Sequence, residues 1–210
     1  MRGAAPAVLE LEDSMNPDPI IGLLERDFDT TTALLASVQA DGCWAKASPC
    51  AGWTVRQVGN HLVGGLALVA RIASGGSATP EEADPQRAAD IDHLGAEPAK
   101  AFAAVAERCL AAFSAPGALE RAFPFQPDPV PGVVLVNVCL LESLVHGWDI
   151  AYGTGTSFKP EDAVVDAVAA FSYQTISAER RTNGQFGPAL PTGPADPPFT
   201  ALLAHLGRRA

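Results

Sequence analysis

Two apolar stretches of the sequence carry residues that could bind a metal ion. His61 lies among apolar neighbours at i, i+3, i+4 and i+7 spacing, which places it on or beside the apolar face of a helix. Glu142 and His146 are four residues apart, hence one turn apart on a single helix face, and Asp149 follows three residues later. Such side chains are costly to bury in an apolar helix unless they are paired or bind a metal.

Each stretch also has a simpler interpretation. His61 alone would more often be a core histidine satisfied by one hydrogen bond. Glu142 and His146 could form a structural ion pair, with Asp149 solvated at the helix end. Two histidines and a carboxylate on facing helices, however, match the way that helical bundles build metal sites with open coordination positions.

We therefore predict that His61, Glu142 and His146 bind one divalent ion. Zinc suits these ligands best, and iron or nickel would also fit. We predict that Asp149 orients a ligand histidine rather than binding the metal itself. No residue is assigned as a catalytic acid or base.

Other residues of reactive type have weaker claims. His93 and His205 are predicted to lie at the surface or in local packing, and Arg208 with Arg209 to form a solvated tail. Two tryptophans flank the ligand-bearing helices and are predicted to pack there, with a second role as pocket walls: Trp53 and Trp148.

The four cysteines form no C-x-x-C pair, so a zinc ribbon or thioredoxin-like motif is not indicated. Without a secretory signal, disulfides are not expected. Cys109 and Cys139 lie in apolar helical patterns and are predicted to be core residues. A link between Cys43 and Cys50 is geometrically conceivable but unsupported.

The composition limits the class of protein. With 210 residues, of which 48% are hydrophobic and 18% charged, the chain is long enough for one globular domain. A formal charge of −10 disfavours nucleic-acid binding. We identify no apolar run that spans a bilayer and no signal peptide, so a cytoplasmic protein without membrane partners is expected.

The elements that must position these residues are helices separated by Pro/Gly-rich loops. Residues 1–17 are predicted to be a flexible tail, and 18–210 a single domain. Thr54 and Gln57 form a capping box that starts the helix carrying His61. Helices are predicted at 19–40, 54–73, 97–113, 131–152, 160–177 and 199–206, with a loop or short helix at 77–93 and a short extended piece at 122–125.

Two signatures resemble those of a known family. The sequence Ser-Pro-Cys-Ala-Gly-Trp-Thr-Val at 48–55, followed by His61, resembles the N-terminal signature of the mycothiol-dependent maleylpyruvate isomerase family. The segment 142–149, with its Val-His-Gly-Trp-Asp core, resembles the second signature. The ending, 186–188 and 202–208, is similar to the tail of an actinobacterial metal-binding subfamily. The family belongs to the DinB-like superfamily.

The resemblance implies an all-α, DinB-like four-helix bundle of up-down-down-up order, with extra helices and a Pro/Gly-rich C-terminal arm. It implies a divalent ion, usually zinc, held by residues matching His61, Glu142 and His146, and mycothiol as candidate cosubstrate of an isomerase or S-transferase. It also implies a catalytic arginine, for which Arg56, Arg71 and Arg87 are available. The dedicated isomerases have a distinct C-terminal domain, so the resemblance does not extend to maleylpyruvate as the substrate.

The leading functional hypothesis is thus a metal-dependent enzyme acting on a small molecule, as monomer or homodimer. One alternative is a metal-containing protein that binds a small ligand without turnover. Another is an enzyme of secondary metabolism that reuses the scaffold with different chemistry, because a fold does not fix a function.

Overall fold

The computed structural model describes residues 19–38, 43–124, 128–177, 181–182 and 186–209. In these ranges the chain forms mainly helices, joined by a 3-10 turn at Cys43–Ala45 and a two-stranded antiparallel ribbon. The helices are α1 (Pro19–Ser37), α2 (Val55–Ala73), α3 (Pro85–Asp90), α4 (Pro98–Phe113), α5 (Gly132–Thr154), α6 (Asp162–Thr175) and α7 (Pro198–His205); the strands are β1 (Ala122–Phe123) and β2 (Val130–Pro131).

Four of these helices form the bundle. α1 and α2 lie opposite each other, and each packs against both α4 and α5. α3 packs on α2, while α6 and α7 add a layer beside α5. The expected all-α bundle with extra helices is therefore confirmed.

The residues at the ends of α2 and α5 start and stop these helices as their side-chain and backbone chemistry predicts. Thr54 accepts a hydrogen bond from the Gln57 backbone, and the Gln57 side chain accepts one from the Thr54 backbone, so the predicted capping box starts α2. Gly155 ends α5 in the left-handed conformation, with φ 76°. α1 ends at Ser37, earlier than predicted. The predicted tail 1–17, positions 39–40 and Phe125 lie outside the described residues.

The central helix α5 corrects the expectation that no apolar run of the chain is long enough to span a bilayer. By length and composition alone it could cross a membrane. However, 67% of its most apolar window is buried inside the bundle, and the core helix of a bundle passes the same test. Its apolar character follows from packing against α1, α2 and α6.

The C-terminal arm folds back onto the bundle. The Leu190 backbone N–H donates to the Ala204 carbonyl at 2.9 Å, which ties the arm to α7. α7 packs on α6 through buried residues such as Leu202. This placement carries Arg208 to the side of α5, so the prediction of a solvated tail is wrong for that residue.

Candidate metal centre

The three predicted ligands come together where α2 faces α5. A Glu142 carboxylate oxygen, Oε2, lies 3.2 Å from His61 Nε2 and 3.1 Å from His146 Nε2. Glu142 and His146 share a face of α5 because they are four residues apart, and His61 reaches them from α2. One nitrogen or oxygen of each residue lies within 4.8 Å of the others.

The separations fit a metal ion. Zinc bonds of about 2.0–2.1 Å in tetrahedral geometry place neighbouring ligand atoms about 3.4 Å apart, close to the two N···O distances observed. In the absence of an ion, a carboxylate between two imidazole nitrogens requires at least one proton there to act as donor. A divalent cation would supply the same positive charge, and the donor set of two histidines and a carboxylate suits it.

Asp149 holds the other side of the His146 ring. Its Oδ2 lies 2.9 Å from His146 Nδ1, so His146 donates from Nδ1 to this carboxylate. That hydrogen bond keeps Nδ1 protonated and turns Nε2 toward Glu142 and the predicted metal position. The predicted orienting contact of Asp149 is thus present in the structure.

Arg208 completes this arrangement and was missed by sequence reasoning. Its Nη2 donates to Asp149 Oδ2 at 2.9 Å, and its side chain is only 15% exposed. Asp149 is fully buried. Burial raises the pKa of Asp149, but the hydrogen bond from His146 and the Arg208 charge outweigh it and lower that pKa to about 2. Asp149 is therefore ionised at any physiological pH.

Burial and hydrogen bonding also act in opposite directions on the pKa values of Glu142 and His146, the two predicted ligands on α5. Burial raises the pKa of Glu142, but hydrogen bonds from His146 and His61 hold it well below its usual range. Burial lowers the pKa of His146, but hydrogen bonds with Asp149, Cys50 and Glu142 raise it well above its usual range. In the absence of a metal the centre is thus a network of compensated charges.

Cys50 is a second residue that sequence reasoning did not assign to the site. Its thiol donates to Asp149 Oδ2 at 3.1 Å and lies 3.9 Å from His146 Nδ1. Cys50 and Cys43 are both free thiols, so the conceivable link between them is absent. The signal was its position in the segment at 48–55, which a β-bridge between Ala47 and Thr54 folds into a tight loop beside α2.

The arginines predicted as catalytic candidates lie elsewhere. Arg56 pairs with Asp92, Arg71 with Glu82 and Arg87 with Glu81, each as a partly exposed ion pair. Arg208 is the arginine that the described structure brings into contact with the centre, through Asp149 and within 3.8 Å of Cys50 Sγ.

The other tryptophans, histidines and cysteines considered in the sequence analysis lie beside the candidate metal centre or away from it. The Trp53 ring lies 5.0 Å from the His61 ring and walls the centre, while Trp148 stacks on Tyr152. His93 packs over Gly64, away from the centre, and His205 stacks on Tyr173. Cys109 and Cys139 are buried in the core as predicted.

One face of the centre is open to solvent. The Glu142 side chain is 33% exposed, whereas those of His61 and His146 are largely buried. His61 Nδ1 is buried and has no hydrogen-bond partner among the described residues. An arrangement of three side chains on one side and solvent on the other leaves room for a further ligand, as in metal sites that bind substrate.

Comparison with known proteins identifies the chain's relatives. The family described as mycothiol maleylpyruvate isomerase N-terminal domain matches residues 24–151, which include all three predicted ligands. Two uncharacterized proteins of Mycobacterium tuberculosis, from strains CDC 1551 / Oshkosh and ATCC 25618 / H37Rv, are each 34% identical over 194 residues. Those alignments cover 91% of this chain and 98% of each relative. No solved structure gives a significant match.

Proposed function

The chain belongs to the mycothiol maleylpyruvate isomerase N-terminal domain family, and from this premise we propose that it is a metal-dependent enzyme acting on a small molecule. The cosubstrate is a low-molecular-weight thiol of the mycothiol type, and the reaction is an isomerisation or an S-transfer. The observation that supports this most is the convergence of His61, Glu142 and His146 on one point beside solvent.

Zinc is the proposed ion, held by those three side chains. When bound, it would act as a Lewis acid that lowers the pKa of a coordinated thiol or water near neutral pH. The chain's own residues do the rest. Asp149 fixes the His146 ring, Arg208 neutralises Asp149, and Trp53 covers one side of His61. The exposed edge of Glu142 marks the side from which the thiol and substrate enter.

One observation favours the alternative of a binding protein without turnover. Among the described residues at the centre, the charged groups are engaged with each other: Glu142 with two histidines, and Asp149 with His146 and Arg208. No acid or base in that part of the chain stands free to move a proton. In this alternative the substrate or the thiol would have to be held rather than transformed.

Cobalt substitution separates these proposals. Co²⁺ in place of zinc gives visible absorption bands whose intensity reports coordination number, and a thiol bound to it adds a sulfur-to-metal charge-transfer band. We expect a thiol to shift the spectrum of the cobalt protein and to leave that of His61→Ala unchanged. Turnover of an electrophilic test substrate only when metal and thiol are both present supports the enzyme.

Two other results would count against the proposal of an enzyme. A spectral shift without turnover across electrophile classes favours the binding protein. If neither metal nor thiol binds, both proposals fail. Asp92→Asn, which removes a surface ion pair with Arg56, is a suitable control variant.

A further inference from the structure

A cavity lies farther along α2 than His61, toward the C-terminal end of that helix. It has a volume of about 750 Å³ and is bordered by α2, α3 and α4. That volume falls in the range of about 300–1,000 Å³ in which proteins bind small molecules. None of the predicted metal ligands lines it, so it is a separate site on the fold.

The floor of this cavity is apolar and made of small residues. Gly64 and Ala67 on α2 and Ala111 and Ala112 on α4 line a depression between the helices, with the His93 ring over Gly64. Ile91 stands at its edge with 44% of its surface exposed. Together with the small apolar residues of the floor, Ile91 gives the cavity an apolar lining that fits the apolar body of a ligand.

The wall that carries Ile91 is fixed in place. The Asn60 side chain, which is buried on α2, donates to the Ala89 carbonyl. Its oxygen accepts from the backbone N–H groups of His93 and Leu94. Three hydrogen bonds from one buried side chain hold the segment at 89–94 against α2, so the cavity is preformed.

The rim of the cavity carries three arginines and one glutamate, Glu82. Three arginines line it from three helices: Arg71 on α2, Arg87 on α3 and Arg108 on α4. Arg71 is paired with Glu82, and Arg87 with Glu81. The Arg108 side chain has no hydrogen bond or ion pair within the described part of the chain. Three arginines and two glutamates leave this group a net charge of +1, which Arg108 supplies, in a chain with a formal charge of −10.

The sequence does not reveal this cluster, because the three arginines lie 16 and 21 residues apart and meet only in the fold. The two existing pairs are partly exposed, with both arginine side chains at 47%. Exposed pairs contribute little free energy, so an incoming anion can compete for these guanidinium groups. The planar guanidinium fork matches a carboxylate or sulfonate.

From this geometry we infer that the cavity between α2, α3 and α4 binds an amphiphilic organic anion. The ligand is an aromatic or branched apolar body that lies on the alanine floor beside Ile91. Its carboxylate or sulfonate is held by Arg108, with Arg71 and Arg87 beside it. Inorganic phosphate lacks the apolar body and is a poor ligand for this site.

A fluorescence titration of the full chain with 8-anilinonaphthalene-1-sulfonate tests this site, because the probe combines an aromatic body with a sulfonate. We expect saturable binding of the probe. Arg108→Gln should weaken it about tenfold, because one charge-assisted hydrogen bond is lost. Ala111→Phe fills the cavity and should abolish saturable binding. Arg26→Gln removes an exposed arginine on α1 that does not line the cavity, and it should leave the affinity unchanged.

Competition and metal variants complete the test. Benzoate should displace the probe, whereas benzamide and inorganic phosphate should not. His146→Ala should retain probe binding, which makes this result independent of the metal centre. Circular dichroism and thermal unfolding check that each variant is folded. The inference is overturned if folded Arg108→Gln and Ala111→Phe bind the probe like the unmodified chain, or if phosphate competes as well as benzoate.

Discussion

Asp149 on α5 and Asp27 on α1 are both almost entirely removed from solvent, at 0% and 1% exposure. Asp149 accepts from His146 Nδ1, from Arg208 and from the Cys50 thiol. Asp27 has no hydrogen-bond partner of normal geometry for either oxygen among the described residues. The pKa of Asp149 is lowered to about 2, whereas that of Asp27 is raised to about 7.

The difference shows what partners do to a buried acid. Burial raises both pKa values, because it penalises the ionised form. At Asp27 the nearby Ser143 hydroxyl lowers the pKa by less than burial raises it, and the charge of Glu161 raises it further. At Asp149 the histidine and the arginine reverse it. Asp149 is thus a fixed anion built into the candidate centre, and Asp27 is an acid that gains or loses its proton near neutral pH.

The largest expected effect comes from removing the cation that compensates Asp149. Arg208→Ala leaves a buried carboxylate with His146 as its remaining charged neighbour, and breaking such a pair costs about 4 kcal/mol. Urea unfolding at pH 7 measures this loss. Arg209→Ala changes an exposed neighbour and should shift the free energy of unfolding by less than about 0.5 kcal/mol. Equal stability of the two variants would contradict the account of Asp149.

Asp27→Asn should change the free energy of unfolding in the opposite direction and stabilise the protein. In the native chain the Asp27 pKa of about 7 lies above its ordinary value of 3.8, so wild-type stability falls as the pH rises from about 4 to 7. The asparagine variant lacks this loss. We therefore expect it to be more stable than wild type by at most about 4 kcal/mol at pH 8, at about 1.4 kcal/mol for each pKa unit between 3.8 and about 7.

Unfolding curves at pH 4.5 and pH 8 measure this difference. The gain should fall to about 1 kcal/mol at pH 4.5, where native Asp27 is protonated and the pH lies close to its ordinary pKa of 3.8. A variant that is equally stabilised, or destabilised, at both pH values would show that Asp27 is not neutral in the native protein.

Metal affinity provides a third contrast between the two acids. Asp149→Asn should weaken zinc binding about 10- to 100-fold, because the His146 ring loses the anion that orients it. Asp27→Asn should leave zinc affinity unchanged. Competition titration with a chromogenic chelator measures both. Complete loss of zinc binding in Asp149→Asn would make Asp149 a ligand, and no change would remove it from the centre.

Cys50→Ser gives the smallest expected effect. A serine hydroxyl can donate to Asp149 as the thiol does, so stability should change by less than about 1 kcal/mol. Cys43→Ser, at the free thiol of the 3-10 turn Cys43–Ala45, is the matched control. Calorimetric unfolding of both variants tests this, and a selective loss in Cys50→Ser would indicate a larger role for the thiol.

Local patterns were sufficient for much of the fold and of the candidate centre. The capping box at Thr54 and the apolar periodicity of α2 and α5 lie within single helices, and sequence spacing reports them directly. The four-residue spacing of Glu142 and His146 likewise places them on one face. Their convergence with His61 needed only the packing of two helices.

The missed residues depend on long-range packing. Arg208 is 59 residues from Asp149, and Cys50 is 99 residues from it. Their contacts require the arm to fold back over α6 and the loop at 48–55 to close. The family-like segments at 48–55 and 202–208 contain both residues, but helix spacing does not report their contacts. The burial of Asp27 was indicated only weakly by the sequence, through its position between the core residues Leu24 and Phe28 on the buried face of α1.

Metal content is the most direct test of the central proposal, that His61, Glu142 and His146 hold a divalent ion. Elemental mass spectrometry of protein purified without added metal or an affinity tag should find about one equivalent, with zinc favoured. His146→Ala should lose it, while His93→Ala, which changes a histidine outside the centre, should retain it. Absence of metal even after reconstitution, or full retention in His146→Ala, would contradict the account.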